Sequence, residues 1–211
     1  MRETSIEELN QFLLDGRRAA QYAWDHYDEL ASREKTYTLY GPENYGIGAG
    51  MPGQFIPQHA RKLSKQTRRK NYMVYELDSE YALLRTISIQ DYTKTVCTYH
   101  CFELDGVRYA CSFDGEQRRF FRKEVLAIGY RDGRAQYLGF LREHSLIVQF
   151  FDYPSPEKML VTTYSYSTVS KYSSHVYLVD HNAPIGALNS PVNCSSWEEE
   201  LTDTDFSKWF S

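Results

Sequence analysis

The chain has 211 residues, a length that fits one large domain or two small ones. Its formal net charge of -4 disfavours a protein whose main task is to hold a nucleic-acid backbone. Neither an apolar run of signal-peptide length near Met1 nor a stretch of about 18 apolar residues is present. We therefore expect a cytoplasmic protein with no membrane partner, whose four cysteines are reduced: Cys97, Cys101, Cys111 and Cys194.

The first predicted element is a long helix over residues 6–33. Ser5 and Glu8 have the spacing of a capping box, in which the two side chains satisfy orphan backbone donors at a helix start. Apolar residues then recur at helical spacing as far as Leu30. Gly16 interrupts this stripe, and we expect a bend there.

Glycine and proline dominate residues 36–57, which indicates a long ordered loop packed on the domain. Within it Gly48–Gly53 spells G-x-G-x-x-G, but Pro52 interrupts the motif and no strand–helix–strand unit follows. A turned loop is the better interpretation than a dinucleotide site. Six basic residues between 61 and 70 follow, on a predicted helix from about 57 to 69, and favour a solvated helix face over a nucleic-acid site.

From Asn71 to Asp180 the apolar pattern has a period of two, which predicts consecutive antiparallel strands. The strongest hairpin signal is Asp105-Gly106. A two-residue turn there predicts a register that pairs Glu103 with Arg108, Leu104 with Val107, Phe102 with Tyr109, and His100 with Cys111.

Two further hairpins are predicted along the same stretch. A turn at Asp132-Gly133 is expected to pair Tyr130 with Ala135, Ile128 with Tyr137, and Val125 with Phe140. A turn at Glu143-His144 is expected to pair Leu141 with Leu146, and Phe140 with Ile147. The remaining predicted strands are Asn71–Leu77, Tyr81–Gln90, Thr95–Leu104, Val107–Phe113, Gln149–Tyr153, Met159–Tyr166 and His175–Asp180.

These elements predict an α+β fold in one domain, residues 1–211. A helical and loop-rich segment, 1–70, precedes an antiparallel meander of about eight or nine strands over 71–180, curled or barrel-like and covered by the N-terminal helix. In the tail, 181–211, a short acidic helix is expected to begin at Ser195 or Ser196.

His100 and Cys111 are the one cysteine–histidine pair that the predicted register brings together. An imidazole beside a thiol is a candidate nucleophile, although their face is otherwise apolar, which favours a core histidine beside a core thiol. Cys97 and Cys101 lie on the other face of the same strand, so the four residues do not converge on a metal. We expect neither a metal nor a cofactor.

Two segments of the sheet leave open alternatives. Arg118, Arg119, Arg122 and Lys123 flank two phenylalanines, a pattern shared by nucleic-acid stacking platforms and by charge-protected edge strands. Tyr164 and Tyr166 lie in a Ser/Thr/Tyr-rich stretch that fits either an exposed strand edge for a partner or a sheet face with cross-strand pairs.

The first functional hypothesis is a non-catalytic protein that binds another protein, of a regulatory or toxin-neutralising type. Aromatic residues make up 15% of the chain, and tyrosine is frequent at binding surfaces. The alternatives are a small-ligand-binding barrel and a Cys/His-dependent enzyme. The candidate binding residues are Tyr45, Ile47, Met51, Phe55, Arg61, Lys62, Arg68, Arg69, Tyr164 and Tyr166.

Overall fold

A computed structural model describes residues 6–42, 65, 72–90, 95–114, 118–132, 134–142, 145–167, 171–180 and 193–197. Two helices open the chain, α1 over Ile6–Asp25 and α2 over Tyr27–Ser32. Together they occupy the predicted helix, but α1 runs without interruption through Gly16 and the break falls at His26 instead. The reason is contact with the sheet: a Cβ at Gly16 would lie 3.0 Å from Leu141 Cδ2, so the glycine serves close packing.

All strands in the described residues belong to one antiparallel sheet of 11 strands, in the order in which they occur along the chain. This confirms the predicted α+β meander, and the linear order means that the sheet is not closed. The strands are β1 Tyr37–Pro42, β2 Tyr72–Leu77, β3 Leu83–Gln90, β4 Thr95–Leu104, β5 Val107–Asp114, β6 Phe120–Arg131, β7 Arg134–Arg142, β8 Ser145–Ser155, β9 Lys158–Ser167, β10 Lys171–Asp180 and β11 Asn193–Trp197.

The hairpin between β4 and β5 has the register that the Asp-Gly turn predicts. His100 lies opposite Cys111, Phe102 opposite Tyr109, and Glu103 opposite Arg108. Asp105 and Gly106 both have positive φ, 52° and 76°, which is the geometry that an Asp-Gly turn supplies. The pairing of β7 with β8, Leu141 with Leu146 and Phe140 with Ile147, is also confirmed.

The hairpin between β6 and β7 departs from its predicted register by one residue. Tyr130 lies opposite Ala135 as expected, but the register shifts between Gly129 and Tyr130. Beyond this irregularity Ile128 pairs with Leu138 instead of Tyr137, and Val125 pairs with Leu141 instead of Phe140. A bulge adds one residue to one strand, and alternation of apolar residues does not reveal it because both faces of β6 are apolar here.

Two predictions at the ends of the sheet are wrong. The segment 37–42, expected to be part of a loop, is β1 and pairs with β2. Pro42 has no backbone N–H to donate to a neighbouring strand. It is therefore compatible with β1, the first strand in the sheet order. Ser195 and Ser196, expected to begin a helix, lie in β11 and pair with β10. Ser5, the glycine-rich motif and the rest of the predicted C-terminal helix lie outside the described residues.

The helix α1 packs on the centre of the sheet, against β5, β6 and β7, and α2 packs against β4. We call this side of the sheet the helix face. Leu9, Leu13, Ala19, Ala20 and Ala23 of α1 are at most 2% exposed. They join a core cluster with Phe102, Tyr109, Cys111, Phe113, Val125, Ala127, Leu141, Leu146, Val148 and Phe150 of the sheet.

The other side of the sheet, which we call the opposite face, carries a second buried cluster. Its members are Cys101, Ala110, Ile128, Ala135, Leu138, Phe140, Phe151, Met159 and Val161. None of these comes from a described helix. Residues of the central strands are thus buried on both faces, as their continuous apolar runs predict.

Gly139 of β7 is the point of closest approach between helix and sheet. A Cβ there would lie 1.7 Å from Cζ of Phe12, whose ring also meets Tyr137 edge-on at 5.6 Å between centroids. The ring of Phe12 therefore occupies the space that a side chain at Gly139 would need.

We expect Gly139→Ala to lower the free energy of unfolding by about 1–3 kcal/mol, because α1 must lift or Phe12 must leave its rotamer. Urea denaturation of both variants and of the double variant with Phe12→Ala measures this. The glycine substitution should cost clearly less when Phe12 is alanine, since the clash is then absent. Additive costs in that cycle contradict the contact.

Candidate functional site

The sequence-predicted binding residues fall into two groups. Eight of them lie outside the described residues and remain predictions: Tyr45, Ile47, Met51, Phe55, Arg61, Lys62, Arg68 and Arg69. Tyr164 and Tyr166 are described, and they are only 7% and 5% exposed. Their strand β9 lies between β8 and β10, so the exposed-edge interpretation is wrong and the sheet-face interpretation holds.

His100 and Cys111 are cross-strand neighbours on the helix face, as predicted. Both are buried, at 4% and 0% exposure. Burial lowers the pKa of His100 to about 4, and the nearby Arg85 charge adds to this effect. Burial raises the pKa of Cys111 well above its usual range, and its Sγ lies 3.9 Å from the carbonyl oxygen of Ala19 in α1. The pair is thus a neutral imidazole beside a neutral thiol, which disfavours a nucleophile.

The ring of His100 packs against aromatic side chains from α2 and β5. Its ring meets Tyr27 and Phe113 edge-on, with 5.6 Å between centroids in each pair. A hydrogen bond with the backbone of Leu30 ties it to α2. Among the described residues no hydrogen-bond partner reaches its Nδ1. The imidazole therefore serves as a packing group that joins α2 to β4.

A row of ionisable residues continues from His100 to the margin of the sheet. The register places Arg85 of β3 opposite His100, and Glu76 of β2 opposite Arg85. Nε of Arg85 donates to Oε2 of Glu76, while Lys35 donates to Oε1 of the same carboxylate. Burial raises the pKa of Glu76, but the hydrogen bonds from Lys35 and Arg85 outweigh it, so the pKa is lowered from its ordinary value. Glu76 is thus an ionised, buried carboxylate with two cationic partners.

Arg85 and Arg33 fasten the chain between α2 and β1 to the sheet. The two terminal nitrogens of Arg85 donate to the carbonyl oxygens of Ala31 and Arg33. Arg33 in turn donates to the carbonyl oxygen of Cys101 at 3.1 Å. The carbonyls of Ala31 and Arg33 belong to the last turn and the C-cap position of α2, where helix carbonyls lack intrahelical partners, so the guanidinium of Arg85 acts as a helix C-cap.

A separate polar cluster lies on the opposite face around Glu124, which is 2% exposed. The hydroxyl of Tyr99 donates to its Oε2 at 2.8 Å, and Nε of Arg142 lies 2.8 Å from its Oε1. The hydroxyl of Ser112 donates to the backbone carbonyl oxygen of Glu124 at 3.5 Å. A buried carboxylate that pairs with one arginine and accepts one tyrosine hydroxyl therefore lies beside the apolar second cluster.

A column of stacked rings runs from the core to the surface at the end of α1. Phe113 is fully buried, and Phe120 stacks on it at 4.6 Å between centroids. Trp24 lies 5.4 Å beyond Phe120 and is 37% exposed. The guanidinium carbon of Arg118 lies 5.1 Å from the Trp24 ring centroid, in cation–π geometry. We call these four residues the aromatic column.

The aromatic column includes Arg118, one of the basic residues around the start of β6 for which the sequence left a nucleic-acid interpretation open. Arg118 donates to the carbonyl oxygen of Trp24 and lies 3.7 Å from Asp28, while Arg119 is bonded to Asp114 at 2.7 Å. Both arginines thus have acidic partners, which weakens the nucleic-acid interpretation. Within the described residues, β6 pairs with β7 from Val125 onward, and the basic stretch 118–123 pairs with β5 through Phe120 and Phe113, so the edge-strand alternative stays a prediction.

A second exposed aromatic site lies at the turn between β2 and β3. Tyr81 is 60% exposed, has a φ of 63°, and stacks on Tyr37 at 4.3 Å between centroids. Asp78 holds the turn by accepting the backbone N–H groups of Glu80 and Ala82. The positive φ is unusual for a tyrosine and places its ring against Tyr37.

Comparison with family models, curated proteins and solved structures finds no match to this chain. Within the part of the chain that the structure describes, no helix is both long and apolar enough to cross a bilayer. Within the same residues, no three His, Cys, Asp or Glu side chains come together as metal ligands. The functional argument therefore rests on the geometry above.

Sequence reasoning missed the two buried carboxylates and the aromatic column. A signal existed for Arg85, because Leu83 and Ile87, which share its face of the strand, are apolar, whereas the apolar residues on either side of Glu76 predict a solvent-facing position for it. For the aromatic column no comparable signal exists, since Trp24 and Phe120 lie far apart in the chain.

His100 gives the protein a specific sensitivity to acid. Above pH 6.5 the imidazole is neutral in both the folded and the unfolded chain. As the pH falls from 6.5 towards 4, the unfolded chain binds a proton that the folded protein rejects, so the free energy of unfolding decreases, by about 3 kcal/mol. Urea denaturation at several pH values measures this loss.

The matched variant is His100→Gln, which retains hydrogen-bonding capacity for the Leu30 backbone and cannot titrate. It should lose clearly less stability than the wild type over the same pH interval. The lowered pKa of Glu76 acts in the same direction at lower pH and is common to both proteins. Equal losses in the two proteins contradict the role of His100.

Proposed function

We propose that this protein acts by binding another protein through the surface at the end of α1, and not by catalysis. The observation that carries the proposal is the aromatic column, which ends at the surface on an exposed Trp24 covered by Arg118. Tryptophan and arginine are the residue types most enriched among those that dominate binding energy at protein interfaces.

The support beneath Trp24 makes this surface suitable for binding. Phe120 and the buried Phe113 fix the indole from below, and Arg118 is already ordered by the Trp24 carbonyl and by Asp28. Side chains that are ordered before binding lose less conformational entropy when a partner arrives. The exposed groups therefore combine a large apolar area with a low ordering cost.

The state of the described thiols argues in the same direction. Cys111 is buried with a raised pKa, and burial also raises the pKa of Cys101 to about 12. Cys97 is 1% exposed. A thiol that is protonated and inaccessible at neutral pH is a poor nucleophile, so these three cysteines do not favour the Cys/His-dependent alternative.

The test is covalent capture in the native cells, with a photoreactive amino acid placed at Leu14, which is 52% exposed on α1. The expected result is a crosslinked protein partner whose yield falls at least about fivefold in the Trp24→Ala variant and in the Arg118→Ala variant.

The matched control is Tyr81→Ala, which removes another exposed aromatic side chain from a different part of the sheet. It should leave the yield unchanged. A partner captured equally well by all variants, or no partner at all, overturns the assignment of this surface. Circular dichroism of each variant separates loss of binding from loss of folding.

Small-ligand binding is a second candidate, favoured by the buried cluster around Glu124. Its carboxylate, Tyr99 and Arg142 form a polar group set among apolar residues of the opposite face. Native mass spectrometry of protein purified from its own cells tests it. A bound small molecule, lost in Glu124→Gln but retained in Trp24→Ala, would favour this function over protein binding.

A further inference from the structure

Two tyrosine rings are stacked where β1 lies beside the turn between β2 and β3. Tyr37, at the start of β1, and Tyr81, in the turn, have nearly parallel rings, with 10° between the planes and 4.3 Å between the centroids. Tyr81 is 60% exposed, and it is the one exposed tyrosine among the described residues. The pair therefore combines close contact between two phenol rings with access from solution.

The turn holds Tyr81 in this position through its backbone. The φ of Tyr81, 63°, lies in the left-handed region that a tyrosine rarely adopts. The Asp78 carboxylate accepts the backbone N–H groups of Glu80 and Ala82, on either side of Tyr81. The N–H of Tyr81 itself donates to the Asp78 carbonyl oxygen at 3.3 Å, and the N–H of Asp78 donates to the Ala82 carbonyl oxygen at 3.0 Å. These hydrogen bonds keep the Tyr81 ring against Tyr37 in spite of the strained backbone.

The hydroxyl groups of the two rings also lie together. A hydrogen bond with the Tyr81 hydroxyl raises the pKa of Tyr37 above its ordinary value. In each ring the two Cε carbons flank the carbon that carries the hydroxyl, so stacked rings whose hydroxyls meet also bring their Cε carbons close. When a phenol loses one electron and one proton, the unpaired electron is shared between the oxygen and these carbons. The positions at which tyrosyl radicals couple are therefore adjacent in the folded protein.

We propose that Tyr37 and Tyr81 form an oxidative cross-linking site, at which a haem peroxidase and hydrogen peroxide join the two rings as dityrosine. Each tyrosine gives up one electron and its hydroxyl proton to the peroxidase. A carbon–carbon bond forms between a Cε of one ring and a Cε of the other. The hydrogen on each bonded carbon then moves to the oxygen of its own ring, which restores both phenols. One hydrogen peroxide accepts the two electrons and the two protons and becomes two water molecules.

The cross-link fastens the first strand of the sheet covalently. Within the described residues β1 pairs with β2 alone. The new bond ties β1 to the turn between β2 and β3, and it closes the chain from Tyr37 to Tyr81 into a loop. A cross-link that closes a long loop removes conformations from the unfolded chain and so favours the folded state. Oxidation at this site therefore stabilises the protein and holds β1 in place.

The test treats the folded full-length protein, at low concentration, with a haem peroxidase and hydrogen peroxide. We expect the blue fluorescence of dityrosine in a product that stays monomeric and is lighter by two hydrogens, with the peptides of Tyr37 and Tyr81 joined in the digest. Tyr37→Phe and Tyr81→Phe keep the rings but remove a hydroxyl, and each should remove most of the monomer fluorescence. The matched control is Tyr40→Phe, on the other face of β1, which should leave that fluorescence unchanged.

Asp78→Ala tests the geometry, because it keeps both tyrosines and removes the acceptor that holds the turn. It should lower the yield of monomeric dityrosine. Urea denaturation tests the consequence of the cross-link. Treatment with peroxidase and peroxide should raise the midpoint of the wild-type protein, since its unfolded chain is now looped, and should not raise the midpoint of Tyr37→Phe.

Two results overturn the proposal. One is monomer fluorescence that is equally strong in the wild type and in Tyr81→Phe. The other is dityrosine in dimers alone, which means that the exposed Tyr81 couples between molecules and not with Tyr37. Circular dichroism before treatment shows that each variant is folded. Neither result bears on the surface around Trp24, so this proposal and the protein-binding function fail separately.

Discussion

The contact of α1 with the helix face is the constraint on which the rest of the structure depends. A meander of this width has an apolar side over β5, β6 and β7 that must be removed from water, and α1 removes it with leucines and alanines. Small residues on α1 let the helix lie close to the sheet. The approach is closest where Gly16 of α1 faces Leu141 of the sheet and where Gly139 of the sheet faces Phe12 of α1. The absence of side chains at two positions thus sets the distance between the layers.

Among the described residues, each of the two buried carboxylates is accompanied by two partners. Glu76 has Lys35 and Arg85, and Glu124 has Arg142 and Tyr99. A buried ion pair adds little net stability when desolvation is counted, but removal of one partner leaves an uncompensated charge and costs several kcal/mol, about 3–5 in typical cases. The row from Glu76 to His100 therefore ties the end of α2 and the segment before β1 to the sheet.

Much of the fold followed from local patterns, and the reasons for the failures are also local. The hairpins at Asp105-Gly106 and Glu143-His144 have their predicted registers because a short turn leaves no freedom between its strands. The bulge at Gly129 escaped detection because both faces of β6 are apolar, so a slip of one residue carries no signature. The capping pattern at Ser195 and Ser196 predicts a helix start, but it is only a local preference, which the pairing of β11 with β10 overrides.

The candidate sites were less predictable than the fold. His100 and Cys111 came together as expected, yet their burial, which decides their chemistry, depends on α1 and α2 lying over them. The aromatic column joins residues that are distant in sequence. Such contacts depend on the packing of a helix or the length of a connection, neither of which a residue pattern encodes.

The order of elements along the chain has a consequence for synthesis on the ribosome. Each described strand after β1 pairs with the strand before it, so the sheet can extend one hairpin at a time as the chain emerges. The helix α1 is made first, but the strands that cover its apolar stripe, β5 to β7, span Val107–Arg142. Until those strands have been made, the nascent chain therefore carries an amphipathic helix without its partner, a period in which a chaperone that binds such stripes has its best opportunity to act.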